Sequence, residues 1–181
     1  IINELEVKEL ISESDGAKCV FLPDFIGKDG KQLPVIIQKS DGGFLYSTTD
    51  LAAIKLRSQD IKADRALYVV DARQSLHFQQ VFAVAKTSGI ASKKISLEHI
   101  AYGTMMGDDG RPFRTRTGGT VKLIELLDES INRAYDLVTE KSPKLEEDIR
   151  LKIAEKIGIA AVKYSDLSKS RISDYVFDWS T

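Results

Sequence analysis

The sequence predicts an α/β fold: a Rossmann-like half-domain built on a parallel sheet, followed by an α-helical annex. An unbroken apolar run, Ala66–Asp71, is followed by a helical pattern over Leu76–Ser88 and an alternating apolar and polar pattern over Lys94–Ala101. Strand, helix and strand in this order are typical of a βαβ unit, whose parallel strands are buried on both faces. After the first two-thirds of the chain, the apolar spacing becomes helical. We therefore divide the chain into 1–119 and 120–181.

Two apolar runs before this unit predict neighbouring strands, and a third predicts the strand that leads to the first candidate site. The first two runs are Ala17–Leu22 and Leu33–Gln38, with a turn signal between them. Phe44–Tyr46 predicts a short strand, and Ser47–Thr49 offers three possible N-cap residues for the helix that follows. This arrangement would place Asp50 in the first turn of that helix.

Apolar residues at helical spacing predict three further helices. One covers Leu76–Ser88, and the next residue, Gly89, is of a type common just after a helix C-terminus. The other two lie in the annex. Their apolar positions are Ile124, Leu127, Ile131, Ala134 and Val138 in the first, and Ile149, Ile153 and Ile157 in the second. Glu129 and Arg133 are four positions apart, which favours an ion pair on the exposed side of the first annex helix.

Composition excludes several classes of protein. The 26 basic and 27 acidic residues give a net charge of −1, which argues against a uniformly basic nucleic-acid binder. No apolar run approaches the roughly 18 residues that a membrane span needs. The single cysteine, Cys19, excludes an internal disulfide framework and a CxxC metal site, and two histidines leave little material for a metal centre. We expect no metal site and no membrane contact.

The first candidate site combines Tyr46, Asp50, Gln74 and His77. Tyr46 ends one predicted strand and Asp50 follows it, while Gln74 and His77 follow the strand Ala66–Asp71. Ligands of open parallel sheets bind at the carboxyl ends of the strands. Each residue also has an ordinary interpretation. Asp50 would be a carboxylate near a helix N-terminus, Tyr46 a half-buried strand aromatic, Gln74 a helix-start residue and His77 a surface histidine. For Tyr46, the pattern alone favours the ordinary interpretation.

The second candidate site is the glycine-rich segment Gly103–Gly119, which has no apolar periodicity. Glycines let a backbone approach an anion closely, and arginines supply donors for phosphate. The basic residues there are Arg111, Arg114 and Arg116, with Lys122 just beyond. The alternative is a surface loop with solvated arginines, which composition alone favours because neither GxxxxGK[ST] nor GxGxxG is present.

Four long segments resemble the arginyl-tRNA synthetases, a family of class I aminoacyl-tRNA synthetases. They are DGGFLYSTTDLAAIK (Asp41–Lys55), ALYVVDARQSLHFQQVF (Ala66–Phe82), YGTMMGDDGRPFRTRTGGTVKLIELLDE (Tyr102–Glu129) and GIAAVKYSDLSKSRISDYVFDW (Gly158–Trp179). The resemblance implies the second half of a Rossmann-type catalytic domain, followed by the start of the stem-contact helices.

The resemblance also implies an arginine pocket. Tyr46 and Asp50 correspond to the tyrosine and aspartate that engage the substrate guanidinium, and Gln74 corresponds to a glutamine that contacts the amino acid. A carboxylate flanked by polar groups suits a planar, permanently charged guanidinium. His77 would lie near the same pocket, and we count it with the ATP-binding residues.

By the same family resemblance, Gly103–Gly119 corresponds to the KMSKS loop that closes on the triphosphate of ATP. The residues expected to bind ATP there are Met105, Met106, Arg114, Thr115 and Arg116. The chain departs from the family signature at Thr117, which stands where the second lysine would be. Which side chain takes the place of that lysine is left open, with the two arginines as candidates.

The activity that the resemblance implies is arginine–tRNA ligation, with ATP as a substrate, Mg²⁺ accompanying it and no tightly bound cofactor. The expected partners are arginine, ATP and tRNA, and the parent enzyme is expected to be monomeric and cytoplasmic. No part of the chain resembles the HIGH motif or the anticodon-binding domain, so we interpret the chain as an internal fragment that is inactive alone. Two alternatives from other classes are a non-catalytic helical interaction module and a stand-alone nucleotide-binding domain.

Overall fold

The computed structural model describes residues 1–107, 109–112 and 122–179. The chain divides into two compact units, Ile1–Ala101 and Tyr102–Thr181. The predicted boundary after residue 119 falls among residues outside the described part, and it stays a prediction. Within the described part, none of the helices has the length and apolar content that crossing a membrane requires.

The first unit contains most of the strands. Its elements are α1 (Ile2–Val7), β1 (Ser12–Ser14), β2 (Ala17–Ile26), β3 (Gln32–Gln38), α2 (Tyr46–Lys55), β4 (Arg65–Asp71), α3 (Ser75–Thr87) and β5 (Ser96–Tyr102). A π-helical turn, Leu56–Asp60, continues α2, and a 3₁₀ turn, Ala72–Gln74, leads into α3.

Strands β1, β2 and β3 form an antiparallel sheet with β2 in the middle. Cys19 faces Ile36 and Val20 faces Val35 across the β2–β3 ladder, so the two apolar runs predicted to be neighbours are confirmed as a pair. The inward side chains join one core with those of α2 and α3; among them are Val20, Leu22, Val35, Ile37, Leu51, Ile54, Val81 and Val84.

Strands β4 and β5 pair and are joined through α3, which confirms the predicted βαβ unit. The Ser96 amide donates to the Asp64 carbonyl at 2.8 Å, and His99 Nε2 lies 3.0 Å from the Val70 carbonyl. From the first contact to the second, the residue number rises in both strands, from 64 to 70 in one and from 96 to 99 in the other. The two strands therefore run in the same direction. The prediction that β4 is buried on both faces is wrong, since Leu67 is 52% exposed and Val69 is 65% exposed.

The segment leading to Asp50 differs from its prediction. Tyr46 is the first residue of α2 and not the end of a strand, and Leu45 is the N-cap with no side-chain capping bond. The hydroxyls of Ser47 and Thr48 instead donate to the carbonyls of Ile36 and Ile37 in β3. Polar side chains before an apolar helical stretch resemble caps in sequence, but here they tie the helix to the neighbouring strand.

The second unit is mainly helical, with α4 (Leu123–Lys141) and α5 (Glu147–Leu167). Both helices were predicted, and the predicted Glu129–Arg133 ion pair is present with Oε1 and Nε 2.7 Å apart. Ser130 Oγ donates to the Gly158 carbonyl at 2.8 Å where the two helices meet. Two short strands that were not predicted, β6 (Met105–Met106) and β7 (Tyr175–Val176), pair in parallel.

Candidate functional site

The best-defined polar contact among the predicted site residues joins Asp50 to His77. Asp50 Oδ2 lies 2.7 Å from His77 Nε2, and this contact connects α2 to α3. The side chains are 29% and 30% exposed respectively, so the pair is open to a ligand on one side and packed on the other. Two of the four residues of the first candidate site are therefore in direct contact.

The orientation of Asp50 follows from how α2 is held. Its neighbour Leu51 is fully buried, as is Ile54 one turn further on, and these side chains fix which helix face meets the core. The hydroxyl bonds of Ser47 and Thr48 to β3 hold the first turn. Asp50 is the fifth helical residue, so its predicted position in the first turn is wrong. Since the helix-dipole effect fades within one turn, the ordinary interpretation of Asp50 loses support.

The orientation of His77 follows from the start of α3. Asp71 caps the 3₁₀ turn by accepting the Arg73 amide at 2.8 Å. Ser75 Oγ donates to the Ala72 carbonyl at 2.6 Å, which continues the chain into the helix. The His77 ring packs edge-on against the buried Phe78, with ring centroids 5.1 Å apart. The imidazole is thus held by packing on one side and by the Asp50 carboxylate on another.

Tyr46 and Gln74 lie on the same two stretches of chain but are more exposed. Tyr46 is 83% exposed and precedes Asp50 by four residues, which places both on one face of α2. Gln74 ends the 3₁₀ turn immediately before α3, three residues from His77. Among the described residues, no hydrogen bond joins Tyr46 or Gln74 to the Asp50–His77 pair. Their predicted contacts with a substrate stay predictions.

A second polar pair beside this site was missed by sequence reasoning. Arg57 Nη1 lies 3.4 Å from the Tyr68 hydroxyl, and the guanidinium lies 5.2 Å from the Tyr68 ring centroid. Burial raises the pKa of Tyr68, the Arg57 charge and hydrogen bond oppose that rise, and the Asp50 charge adds to it. The two residues belong to different elements, so no spacing in the sequence signals the pair.

The chemistry of this site suits a cation with several hydrogen-bond donors. Asp50 presents a partly exposed carboxylate, and a guanidinium matches a carboxylate in both charge and shape. Over residues 1–107, 109–112 and 122–179, no three carboxylate, histidine or cysteine side chains are grouped to hold a metal ion.

The described part of the second candidate site is held by the C-terminal segment. Thr104 N donates to Asp174 Oδ1 at 2.6 Å, and the Phe177 amide donates to the Met106 carbonyl at 2.9 Å. Met105 and Met106 thus lie in a short strand pair within the second unit. The other residues predicted to bind ATP, and the position that departs from the family signature, lie outside the described residues: Arg114, Thr115, Arg116 and Thr117.

A cavity of about 400 Å³ adjoins this strand pair. Tyr102, Met105 and Tyr175 supply aromatic and thioether walls. The Tyr175 hydroxyl donates to Asp166 Oδ1 at 3.1 Å, and burial raises the pKa of Tyr175 to about 12, with the Asp166 charge adding to the rise. Sequence reasoning missed this contact because the partners come from a helix and a strand of only two residues.

Comparison with known proteins decides the family. The family described as tRNA synthetases class I (R), catalytic domain, matches residues 1–179. The chain belongs to this family. The match confirms the resemblance noted in the sequence and the predicted α/β class, and it leaves the roles of individual site residues as predictions.

Members of this class I synthetase family are similar to the chain along nearly all of it. The arginine–tRNA ligase of Laribacter hongkongensis is 59% identical over 179 residues, which are 99% of this chain and 31% of that ligase. The arginine–tRNA ligase of Chromobacterium violaceum is 54% identical over 181 residues, 100% of this chain and 32% of its own length. The chain thus spans about a third of these relatives, which is consistent with the predicted fragment.

Solved structures give the same result for the fold. The crystal structure of arginyl-tRNA synthetase from Plasmodium falciparum has a TM-score of 0.77 and 29% identity, and the match covers 98% of this chain and 28% of that one. The Thermus thermophilus arginyl-tRNA synthetase has a TM-score of 0.72 at 20% identity, and the match covers 99% of this chain and 35% of that synthetase. At this identity the likeness supports the fold alone.

Proposed function

We propose that this chain is the part of an arginine–tRNA ligase that binds the arginine guanidinium and contributes to ATP binding. The observation that carries the proposal is the half-buried carboxylate of Asp50, which is held in place by His77 and lies on the same helix face as the exposed Tyr46. The names and high identity of the relatives support the same substrate. ATP, as its Mg²⁺ complex, and tRNA are the other proposed substrates.

The proposed reaction has two steps. A carboxylate oxygen of arginine attacks the α-phosphorus of ATP, the bond to the bridging oxygen breaks, and pyrophosphate leaves to give arginyl-adenylate. A hydroxyl of the terminal adenosine of tRNA then attacks the arginyl carbonyl, loses its proton, and AMP leaves. Neither step needs a nucleophile from the protein. The protein contributes by positioning the substrates and stabilising charge in the transition state.

Each site residue has a proposed part in that positioning. Asp50 accepts hydrogen bonds from the guanidinium and neutralises its charge, while Tyr46 and Gln74 offer further, neutral hydrogen-bonding groups. Lysine would present a compact ammonium without the planar fork of donors that pairs with a carboxylate, so the Asp50 carboxylate favours arginine. The ATP-binding residues proposed in the second unit are Met105, Met106, Arg114, Thr115 and Arg116. We also propose that the complete ligase is monomeric and acts in the cytoplasm.

Kinetics of Asp50→Asn in the complete ligase test the proposal. Asparagine keeps the shape of the side chain and removes its charge, so the bound guanidinium loses its ionic partner at a cost of about 2–5 kcal/mol. The KM for arginine should rise steeply and the KM for ATP should change little. As the matched control, Asp60→Asn alters an exposed carboxylate at the end of the π-helical turn and should change neither constant.

The ordinary interpretation of Asp50 gives a different result. A carboxylate that only interacts with the helix contributes about 0.3–1 kcal/mol to stability. Asp50→Asn would then lower the melting temperature slightly and leave the arginine kinetics unchanged. That outcome would remove Asp50 from the pocket, and with it the main support for the proposal.

A further inference from the structure

The contact between Asp50 and His77 holds the carboxylate in one orientation. His77 Nε2 lies 2.7 Å from Oδ2, a distance typical of a strong hydrogen bond to a charged acceptor. A carboxylate has two oxygens that can each accept hydrogen bonds. One bond from the imidazole to Oδ2 therefore fixes the orientation of the carboxylate and leaves acceptor positions on both oxygens for a substrate.

The surroundings of His77 show that the imidazole is itself held. Phe78, the next residue, is 4% exposed, and its ring packs against His77 at 5.1 Å and Tyr68 at 5.3 Å between centroids. His99 also packs against Phe78, with ring centroids 4.9 Å apart. A ring restrained by such packing can restrain its hydrogen-bond partner, as supporting residues do in binding sites.

We propose that His77 is a positioning residue for arginine recognition: its Nε2–H holds Oδ2 of Asp50 and so fixes the plane in which the carboxylate meets the guanidinium. This rests on the proposed function, because it assumes that Asp50 binds the guanidinium. In this role His77 acts through Asp50 and contacts neither arginine nor ATP, so the proposal replaces the expectation that His77 belongs with the ATP-binding residues. Without His77, Asp50 would rotate among several side-chain conformers, and arginine binding would bear the cost of ordering it.

Two amide substitutions separate the hydrogen bond from the bulk of the ring. In His77→Gln the amide nitrogen reaches the place of Nε2 and can still donate to Asp50. In His77→Asn the side chain is one methylene shorter and cannot reach it. Both variants are neutral and polar, so they differ mainly in the contact under test. His99→Gln serves as a control, because His99 belongs to the same aromatic cluster but bonds to the Val70 carbonyl.

Steady-state kinetics of these variants in the complete ligase test the proposal. We expect His77→Asn to raise the KM for arginine about tenfold, equivalent to about 1.4 kcal/mol at 25 °C. His77→Gln should stay within about threefold of the unchanged enzyme, which is about 0.65 kcal/mol on the same scale. The KM for ATP should be unchanged in both, and His99→Gln should leave the arginine KM unchanged. Thermal unfolding of each variant accounts for any loss of folded protein.

A double-mutant comparison makes the failure of this inference distinguishable from failure of the proposed function. If His77 acts through Asp50, then His77→Asn should have little further effect in an Asp50→Asn background. If Asp50→Asn alone leaves the arginine KM unchanged, the proposed pocket is wrong. If Asp50→Asn raises that KM but His77→Asn does not, or if His77→Gln and His77→Asn raise it equally, the positioning role is wrong and the pocket stands.

Discussion

Gly158 shows how one residue sets the distance between two helices. It lies in α5 where that helix meets α4, and its carbonyl accepts the Ser130 hydroxyl. A Cβ atom added at this position would come 2.7 Å from the Ile131 amide nitrogen and 2.9 Å from the Ser130 carbonyl carbon. Both are backbone atoms, which cannot rotate away as the tip of a side chain can. The absence of a side chain is therefore what permits the close approach.

We expect Gly158→Ala to destabilise the 181-residue chain. Forcing the helices apart costs about 1–3 kcal/mol, typical of an overpacked contact, and this outweighs the gain of about 1 kcal/mol from better helix propensity. Chemical denaturation followed by circular dichroism measures the difference. The matched control is Ala160→Gly, an exposed position in α5 where only propensity acts, with an expected loss of about 1 kcal/mol. A stabilised Gly158→Ala protein would show that the helices separate without cost.

At the scale of elements, local pattern predicted most helices and strands because periodicity records which face is buried. Helices α3 to α5 have apolar residues at helical spacing, β5 alternates apolar and polar residues, and β2 to β4 contain short apolar runs. Two errors have physical causes. Tyr46 begins a helix because the hydroxyls of Ser47 and Thr48 bond to β3, a contact outside the local sequence. An apolar strand such as β4 does not reveal whether anything covers its second face.

The candidate site was predictable only in part for the same reason. Asp50 and His77 were grouped from their places after strands, but their hydrogen bond depends on how α2 packs beside α3. The β6–β7 pair joins residues 70 positions apart through two residues on each side, for example Met105 with Tyr175. So short a ladder leaves no period in the sequence.

The β6–β7 pair should depend on the side chain of Asp174. Its Oδ1 accepts the Thr104 amide, next to the bond from the Tyr175 amide to the Thr104 carbonyl. Asp174→Ala removes that acceptor, and we expect local opening to become easier by about 1 kcal/mol. Hydrogen exchange at the Tyr175 and Phe177 amides should then be roughly fivefold faster, while amides in the middle of α4 keep their protection.

Asp174→Asn is the matched control for this element, because the asparagine oxygen can still accept the Thr104 amide. Its exchange rates should lie closer to those of the unchanged chain than to those of Asp174→Ala. Equal rates in all three proteins would mean that backbone pairing alone holds β7.

At the scale of the whole molecule, the proposed site residues fall in both compact units. The chain has the proposed guanidinium pocket in the first unit and the proposed ATP residues in the second, but its 181 residues contain no HIGH string. Class I chemistry depends on positioning and on charge stabilisation at the α-phosphate. Losing a single donor to a developing charge costs roughly 10²–10³ in rate, and losing several multiplies the effect.

We therefore expect the 181-residue chain alone to show no arginine-dependent ATP–pyrophosphate exchange, although the complete ligase does under the same conditions. Arginine binding is a less demanding property than catalysis, because it needs only the pocket around Asp50, which lies within one compact unit. Calorimetry with arginine on the chain and on its Asp50→Asn variant, with lysine as the competing ligand, measures binding separately from exchange. Exchange by the chain that rises above background, requires arginine and disappears in Asp50→Asn would show that these residues suffice to form the adenylate, and would contradict the expectation that the HIGH motif is indispensable.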